Sequence, residues 1–471
     1  MVSSRFCELL CLKAPLNAAP MTPVWIDNYL HKSVKENYLP TRTSTPASEI
    51  VEPFTLAVSD QALADLNARL THTRWPDRET VGDWSQGVPL ERIKALCDYW
   101  ARDYDWRRLE TRLNALGQHH TRIDGLGIHF LHVRSPNPDA TPLILTHGWP
   151  GSVVEFLDVI GPLTDPAAHG ADGADAFHLV IPSLPGFGFS DKPTGIGWGV
   201  ERIAAAWIAL MKRLGYQRYF AQGGDWGAAV STAIGMIAPP ECAGVHLNMP
   251  LIYPGREDYA QLTEAEQASV ASMKFYRDSD SGYAKQQATR PQTLGYGLTD
   301  SPAGQAAWIY EKFYAWTDNR GEPESALSRD AMLDNIMLYW LPGTAASSAR
   351  LYWESLAFFR TQRIALPVGV TIYPKEFSRP SRRWAQQHFA HIVHWSEADK
   401  GGHFAAFEQP ELFVTELRDC FRKMQPDTLG GGQRSCHPGA GSCHPGVGGC
   451  HPGLDPGSSA THSLDCGSRP Q

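Results

Sequence analysis

The 471-residue sequence lacks any run of eighteen apolar residues, so no transmembrane helix is predicted. It also lacks an excess of positive charge, because 42 lysines and arginines stand against 50 aspartates and glutamates. The resulting net charge of −8 argues against a nucleic-acid partner. A short apolar patch near the N-terminus is interrupted by Lys13 and is too short for a secretory signal. We therefore expect a cytoplasmic protein with no membrane anchor.

Cysteines are scarce in the part of the sequence that is expected to fold. Of nine cysteines, Cys97, Cys242 and Cys420 lie there, and the other six lie near the two ends. Three scattered cysteines do not form a disulfide framework, which favours a reducing compartment. Near the C-terminus the motif Cys-His-Pro-Gly recurs every seven residues. Such pairs can bind zinc, but glycine and proline dominate this stretch, and we predict a disordered extension with no metal site.

Periodicity and composition divide the chain into six segments. The hydrophobic fraction of 42% and the charged fraction of 20% are ordinary for a globular protein. The predicted segments are a disordered leader (1–48), an N-terminal helical domain (49–124), the first part of a sheet domain (125–253), a helical insertion (254–354), the second part of the sheet domain (355–425) and a repetitive disordered tail (426–471).

The two parts of the sheet domain, 125–253 and 355–425, alternate short apolar strands with helices. Strands are predicted at 128–133, 143–146, 177–182, 218–221 and 244–247, and strand signals return at 368–373 and 391–395. Alternation of this kind indicates βαβ units and a mostly parallel sheet with both faces covered. The stretch from 254 to 354 has no strand signal and is predicted to be helical, so it forms a lid inserted into the sheet domain.

Residues 223–227, Gly-Gly-Asp-Trp-Gly, lie between a predicted strand and a predicted helix. Glycines at this junction permit the tight turn, called a nucleophile elbow, that holds the central side chain up in an active site. Here the central residue is Asp225, and a carboxylate attacks an sp³ carbon to leave an alkyl ester on the enzyme. The competing interpretation is that Asp225 only caps the helix.

A second motif, His-Gly-Trp-Pro-Gly at 147–151, follows an earlier strand. A glycine-rich loop at this place can direct backbone N–H groups into the site. We assign the oxyanion hole to the N–H groups of Trp149 and Trp226. It would stabilise the charge that develops when water attacks the ester of Asp225.

A third motif, Gly-Gly-His at 401–403, follows the last strand and provides a general base, His403. The acid that orients this imidazole is expected after the strand that ends at Tyr373, where Glu376 lies. Asp399 and Glu397 are competitors because they precede the histidine loop. They rank below Glu376, since proximity in sequence is a poor guide to which carboxylate faces the ring.

Opening an oxygen-containing ring also requires a proton donor for the leaving oxygen, and a tyrosine hydroxyl is suited to that task. Composition alone does not choose among the tyrosines of the lid, most of which are expected to be packing residues. They are Tyr276, Tyr283, Tyr296, Tyr310, Tyr314, Tyr339 and Tyr352.

From Glu49 to Met424 the sequence resembles the microsomal-type and juvenile-hormone-type epoxide hydrolases. The motifs at 73–77 (Thr-Arg-Trp-Pro-Asp), 104–107 (Tyr-Asp-Trp-Arg) and 124–130 (Asp-Gly-Leu-Gly-Ile-His-Phe) look like the N-terminal domain of that family, and those at 147–152, 224–227 and 401–408 match its core. The resemblance implies an α/β-hydrolase fold with a mostly parallel central sheet, a helical lid and an N-terminal helical domain that wraps around the core.

The resemblance also implies individual roles. Asp225 would be the nucleophile, His403 the base and Glu376 its acid, while Tyr283 and Tyr352 fall where the family has its pair of epoxide-binding tyrosines. In two respects the sequence departs from the family: no membrane anchor is predicted at the N-terminus, and the repetitive tail has no counterpart.

The sequence therefore predicts an epoxide hydrolase that converts a bulky apolar epoxide and water into a vicinal diol, without cofactor or metal. One alternative is a haloalkane dehalogenase, which also uses an aspartate nucleophile but holds its halide with Trp or Asn N–H donors. Another is a relative that binds ligands without turnover, although a pure binding protein has no use for the base. The oligomeric state is not fixed by the sequence, and a homodimer is left open.

Overall fold

The computed structural model describes residues 50–355 and 363–425. The predicted disordered leader (1–48) and repetitive tail (426–471) lie outside the described residues, so those two predictions are not addressed. The descriptions below refer to the described residues.

A nine-stranded sheet forms the centre of the molecule, in the order β1-β2-β3-β5-β4-β6-β7-β8-β9. The strands are β1 (Val51–Pro53), β2 (Gln118–Ile123), β3 (Leu126–Val133), β4 (Thr141–Thr146), β5 (Phe177–Pro182), β6 (Tyr219–Gly223), β7 (Cys242–Leu247), β8 (Ile364–Ile372) and β9 (Phe389–Glu397). From β5 across to β9 all neighbours are parallel, and β1, β2, β3 and β5 pair with one another antiparallel. The sheet is thus mostly parallel, as in the α/β-hydrolase fold that the motifs predict.

The central strands are apolar on both faces because helices cover both sides. In β5 every residue is buried, and in β4 the last four are. The helices of this layer are α4 (Leu157–Thr164), α5 (Val200–Arg213), α6 (Asp225–Ile237), α13 (Arg382–Ala385), α14 (Ala405–Glu408) and α15 (Pro410–Met424). In α5 the buried Ile203, Trp207 and Leu210 recur at helical spacing and form the face toward the sheet.

Three further helices precede the sheet in the chain: α1 (Asp60–Thr71), α2 (Leu90–Arg102) and α3 (Trp106–Asn114). Local signals set their starts, since Ser59 caps α1 through the N–H of Ala62 and Asp105 caps α3 through the N–H of Arg107.

Six helices, α7–α12, make up the inserted lid, which agrees with the helical character predicted for 254–354. They are α7 (Glu264–Phe275), α8 (Gly282–Thr289), α9 (Pro291–Asp300), α10 (Pro302–Trp316), α11 (Arg329–Trp340) and α12 (Ala345–Ser355). A π-helical turn, Tyr276–Asp280, lies between α7 and α8. Short 3-10 turns lie at Val153–Phe156, Pro166–His169, Gly173–Asp175, Asp258–Gln261 and Pro323–Ser325.

The N-terminal helices contact the lid as well as the sheet domain. Tyr104 at the start of α3 donates a hydrogen bond of 2.7 Å to Asp334 of α11, and Arg108 forms an ion pair of 2.6 Å with the same buried carboxylate. At the edge of this contact Arg69 of α1 pairs with Asp300 at 2.9 Å. The N-terminal domain is therefore joined to the lid by side-chain contacts with α9 and α11.

In the described part of the chain no helix is long and apolar enough to cross a bilayer. Cys97, Cys242 and Cys420 are all buried and none is disulfide-bonded.

Candidate active site

Asp225 lies at the sharp turn between β6, which ends at Gly223, and α6. Its backbone is in the left-handed region, with φ of +50°, which is rare for a residue with a side chain and typical of functional sites. Only glycine fits at two positions of this turn. A Cβ added at Gly223 would lie 2.1 Å from the Gly227 carbonyl, and one added at Gly227 would lie 1.8 Å from the Thr146 carbonyl oxygen. Helix α6 begins at Asp225 itself.

The alternative role for Asp225, a helix cap, does not fit this geometry. The capping position of α6 is Gly224, and no side chain there accepts a backbone N–H. The carboxylate of Asp225 instead accepts a hydrogen bond of 2.8 Å from the backbone N–H of Trp149. The turn therefore directs the carboxylate away from its own helix and toward the loop after β4.

That loop supplies the N–H group of Trp149, one of the two that the sequence assigns to the oxyanion hole. Gly148 lets it approach, because a Cβ there would lie 2.1 Å from Asp225 Oδ1. The lid fixes the loop: Asn335 donates to the Pro150 carbonyl and Tyr339 to the Gly151 carbonyl, both at 2.7 Å.

Trp226, the second predicted oxyanion residue, directly follows Asp225 and is buried. Its indole packs edge-on against the ring of Tyr352, with 4.8 Å between centroids. The role of its backbone N–H stays a prediction.

The imidazole of His403 lies between two carboxylates. Its Nε2 is 3.4 Å from Asp225 Oδ2, and its Nδ1 is 2.8 Å from Oε2 of the buried Glu376. The other oxygen of Glu376 accepts the N–H of Phe377 at 2.8 Å. Of the three carboxylates considered from the sequence, Glu376 is thus the one paired with His403.

The charges around His403 set its protonation. Burial alone would lower the pKa of this imidazole, but the negative charge of Glu376, together with the hydrogen bond and charge of Asp225, outweighs burial and raises the pKa well above its usual value. His403 is therefore a cation in the resting site. A change that neutralises Asp225 removes part of this stabilisation and frees the imidazole to act as a base.

The two tyrosines that the sequence favours lie together above Asp225. The ring centroids of Tyr283 and Tyr352 are 5.8 Å apart. Both rings contact the indole of Trp149, with centroid distances of 4.9 Å for Tyr283 and 5.9 Å for Tyr352. Tyr352 Oη is buried and has no hydrogen-bond partner among the described residues. Burial, followed by the charge of Asp225, raises the pKa of Tyr352 well above its usual value, so it is a neutral hydrogen-bond donor.

Two groups near this site were not singled out by the sequence. Tyr276 appears there only as one of seven lid tyrosines, yet its hydroxyl is 2.8 Å from that of Tyr283. Glu155 follows the loop at 147–151, and its carboxyl lies over Gly151, where a Cβ would be 1.3 Å from Oε1. Tyr276 lies seven residues before Tyr283 and Glu155 lies four residues after Gly151, and nothing in the sequence around either residue marks it as part of the site.

A small cavity borders Asp225, His403 and Glu155, and its volume of about 10 Å³ is close to what one water molecule needs. Burial raises the pKa of Glu155 to about 8, so this carboxyl is mostly protonated near neutral pH. The site thus places room for water next to both Asp225 and His403.

Helix α10 of the lid ends against the loop that carries His403. The centroid of the Trp316 ring lies 4.9 Å from that of the imidazole. The backbone N–H of His403 donates a hydrogen bond of 2.9 Å to the backbone carbonyl of Trp316. One turn earlier, the buried ammonium of Lys312 pairs with Asp280 at 3.0 Å and lies 4.6 Å from the Tyr283 ring centroid. One helix therefore positions both the base and a tyrosine.

Comparisons with known proteins agree with this geometry. A family model described as "Epoxide hydrolase N terminus" matches residues 51–156, and one described as "alpha/beta hydrolase fold" matches residues 141–293. A Stigmatella aurantiaca protein, provisionally named an epoxide hydrolase, is 57% identical over 376 residues, which cover 80% of this chain and 86% of that protein. The chain belongs to the epoxide hydrolase family.

Other epoxide hydrolases are similar along most of the chain. Epoxide hydrolase 1 of Oryctolagus cuniculus is 35% identical over 400 residues, covering 78% of this chain and 88% of its own length. Among solved structures, juvenile hormone epoxide hydrolase from Bombyx mori has 32% identity and a TM-score of 0.74, covering 80% of this chain and 95% of that one. The Aspergillus niger epoxide hydrolase has 32% identity and a TM-score of 0.71, and the match covers 80% of this chain and 98% of that one.

Proposed function

We propose that this enzyme hydrolyses bulky apolar epoxides to vicinal diols through an ester formed on Asp225. The observation that carries the proposal is that the Asp225 carboxylate lies 3.4 Å from the His403 imidazole, while the buried Tyr352 hydroxyl, near enough for the charge of Asp225 to raise its pKa, has no well-aligned hydrogen-bond partner among the described residues. An ester route needs a donor, a nucleophile and a base in these places.

In the first half-reaction, Tyr283 and Tyr352 donate hydrogen bonds to the epoxide oxygen while a carboxylate oxygen of Asp225 attacks a ring carbon. The carbon–oxygen bond of the ring breaks, and its electron pair goes to the oxygen, which takes a proton. The unpartnered hydroxyl of Tyr352 supports this role, because a buried donor without a partner gains a full hydrogen bond when a ligand oxygen arrives.

In the second half-reaction, water attacks the carboxyl carbon of Asp225. The ester has no negative charge, so the pKa of His403 falls and the imidazolium releases its proton to solvent, to regain it at the end of the cycle. The neutral imidazole then takes a proton from the attacking water, Glu376 stabilises the cation that forms, and this cation gives the proton to the departing diol oxygen when the ester splits. The N–H of Trp149, already 2.8 Å from Asp225 Oδ1, stabilises the oxyanion, and we assign the N–H of Trp226 to the same task.

The lining of the site supports an apolar substrate. Trp149, Tyr283, Tyr352 and Trp316 surround the reacting groups with aromatic carbon. Such a surface favours a bulky epoxide with little hydrogen-bonding capacity.

The test is a single turnover of styrene oxide in ¹⁸O-labelled water, followed by mass spectrometry of the protein and the diol. We expect label in the Asp225 peptide and unlabelled diol from the first turnover. Label that goes directly into the diol would overturn the ester route. Asp225→Asn, checked for deamidation, should lose turnover, whereas release of halide from chloroalkanes without diol formation would favour the dehalogenase alternative.

A further inference from the structure

A third tyrosine hydroxyl lies next to the epoxide-binding pair. Tyr276 Oη is 2.8 Å from Tyr283 Oη, and either oxygen can be the donor. Tyr276 begins the π-helical turn that separates α7 from α8. Such turns are rare and are found most often at functional sites, where the wider winding redirects a side chain. The mechanism proposed above does not use this hydroxyl.

The ring of Tyr276 is held in place by its neighbours. It stacks on Phe377, with 4.0 Å between centroids and 8° between planes. At the other end of the turn, Asp280 accepts hydrogen bonds from Lys312 at 3.0 Å and from the Trp316 indole at 2.6 Å. The contact between the two hydroxyls therefore belongs to a fixed structure.

The two phenols differ in how well they can hold a charge. Tyr283 is only 6% exposed, whereas Tyr276 is partly exposed at the surface of the lid. Burial raises the pKa of both, but the hydrogen bond between them lowers the pKa of Tyr276 and raises that of Tyr283. The hydrogen bond thus favours a negative charge on Tyr276 over one on Tyr283.

We propose that Tyr276 is a proton-relay residue that acts through Tyr283 during ring opening. As the Asp225 ester forms and the epoxide C–O bond breaks, Tyr283 gives its hydroxyl proton to the leaving oxygen and takes the hydroxyl proton of Tyr276. The electron pair remains on Tyr276 as a phenolate. After water has split the ester, the proton released when the Asp225 carboxyl ionises restores Tyr276, so the cycle consumes only epoxide and water.

This inference rests on the proposed function, and it predicts an effect on one half-reaction only. Tyr276→Phe keeps the ring that stacks on Phe377 and removes the hydroxyl. We expect ester formation from styrene oxide to slow about tenfold, the value of roughly one net hydrogen bond, while ester hydrolysis stays within twofold of wild type. Tyr296→Phe, on the exposed face of α9, is the matched control and should change neither step.

Stopped-flow tryptophan fluorescence and rapid-quench mass spectrometry separate the two steps. The relay also predicts that the solvent isotope effect on ester formation falls in Tyr276→Phe, because one fewer proton moves. As a second variant, 3-fluorotyrosine at position 276 keeps the hydroxyl, makes it more acidic and should speed ester formation.

Three results would overturn the relay: ester formation within twofold of wild type in Tyr276→Phe, equal slowing of both half-reactions, or no response to 3-fluorotyrosine. If wild-type protein forms no ester at all, the proposed function fails, and the relay fails with it. If wild type forms the ester and only the variants behave unexpectedly, the relay alone is wrong.

Discussion

In the proposed mechanism, the charge of His403 must differ between the two half-reactions. In the resting site Glu376 and Asp225 hold it as a cation, with its Nδ1 2.8 Å from one carboxylate and its Nε2 3.4 Å from the other. A cation next to Asp225 stabilises the carboxylate until the substrate arrives. Esterification then removes one of the two negative charges and turns the same imidazole into a base.

His403→Gln should therefore trap the ester. The amide cannot take a proton from water, so we expect hydrolysis of the ester to slow by about 10²–10⁴, the usual contribution of a general base. Ester formation should slow much less. Intact-protein mass spectrometry after mixing with styrene oxide should show the mass of one epoxide added; if no adduct persists, His403 is not the base.

Glu155 is a second residue whose charge state matters, because burial raises its pKa from an ordinary 4.5 to about 8. The folded state then binds a proton more tightly than the unfolded state does. Between about pH 4.5 and pH 8 the unfolded carboxyl is ionised while the folded one keeps its proton, so stability falls as the pH rises through this window.

Glu155→Gln, which is neutral at every pH, should remove this loss. We expect its Tm to exceed that of wild type by about 2–5 °C at pH 8 and to differ by about 1 °C or less at pH 5. Differential scanning calorimetry at the two pH values measures this. The exposed Glu52→Gln is the control, and an equal Tm difference at both pH values would contradict the assignment.

At the scale of the elements, the turn between β6 and α6 depends on close approach of backbones. A Cβ at Gly227 would lie 1.8 Å from the Thr146 carbonyl at the end of β4, a backbone atom that cannot move aside without disturbing the sheet. The helix that carries Asp225 therefore sits closer to the neighbouring strand than any residue with a side chain would allow.

Gly227→Ala should lower the free energy of unfolding by about 3 kcal/mol, at the upper end of the cost of overpacking. Gly297→Ala in α9 is the matched control, since nothing lies within 4 Å of its added Cβ. Alanine favours a helix over glycine, so the control should be about 0.5–1 kcal/mol more stable than wild type. Urea unfolding compares the two, and equal midpoints would show that the close approach is relieved at little cost.

The elements that were predictable from the sequence are those with local signals. Glycines on both sides mark the Asp225 turn, two glycines precede His403, and apolar strands mark β3–β9. Strand β2 was missed because its polar residues, Gln118 to Arg122, hide the alternation although the strand lies inside the sheet, and β1 has only three residues.

The parts of the site that were not predictable depend on backbone and side-chain geometry that no sequence pattern reports. Glu376 could be chosen over Asp399 and Glu397 through the family resemblance, but its pairing with His403 joins two loops that follow different strands. Tyr276 reaches Tyr283 only because a π-helical turn lies between them. No periodicity in a single sequence reports such a change of winding.

At the scale of the whole molecule, the N-terminal helices and the lid are joined by a buried polar contact. Asp334 of α11 accepts a hydrogen bond from Tyr104 and forms an ion pair with Arg108, and both of these partners belong to the N-terminal domain. The same helix holds the oxyanion loop through Asn335 and Tyr339. Helix α11 thus connects the N-terminal domain with the active site.

Asp334→Ala leaves a buried hydroxyl and a guanidinium without their acceptor, so we expect a loss of about 2–3 kcal/mol in the free energy of unfolding. Asp300→Ala removes a comparable contact between the same two parts of the molecule, the pair with Arg69, but at a carboxylate that is 84% exposed. That control should lose less than about 0.5 kcal/mol. Guanidinium unfolding measures the loss of unfolding free energy in the two variants. Equal losses would mean that the burial of Asp334 does not increase the contribution of its contacts to stability.

Helices α10 and α11 are anchored from both sides, by the N-terminal domain and by the active-site loops, whereas α7 and α9 each join the rest of the molecule through an ion pair that a transplanted segment could keep, Glu266 with Arg383 and Asp300 with Arg69. The segment from Glu264 to Asp300, which holds α7–α9, is continuous in the chain. Recombination between members of the family is therefore best confined to this segment. A chimera that keeps Tyr276, Asp280 and Tyr283 would inherit a new substrate range while retaining the framework that orients Asp225 and His403.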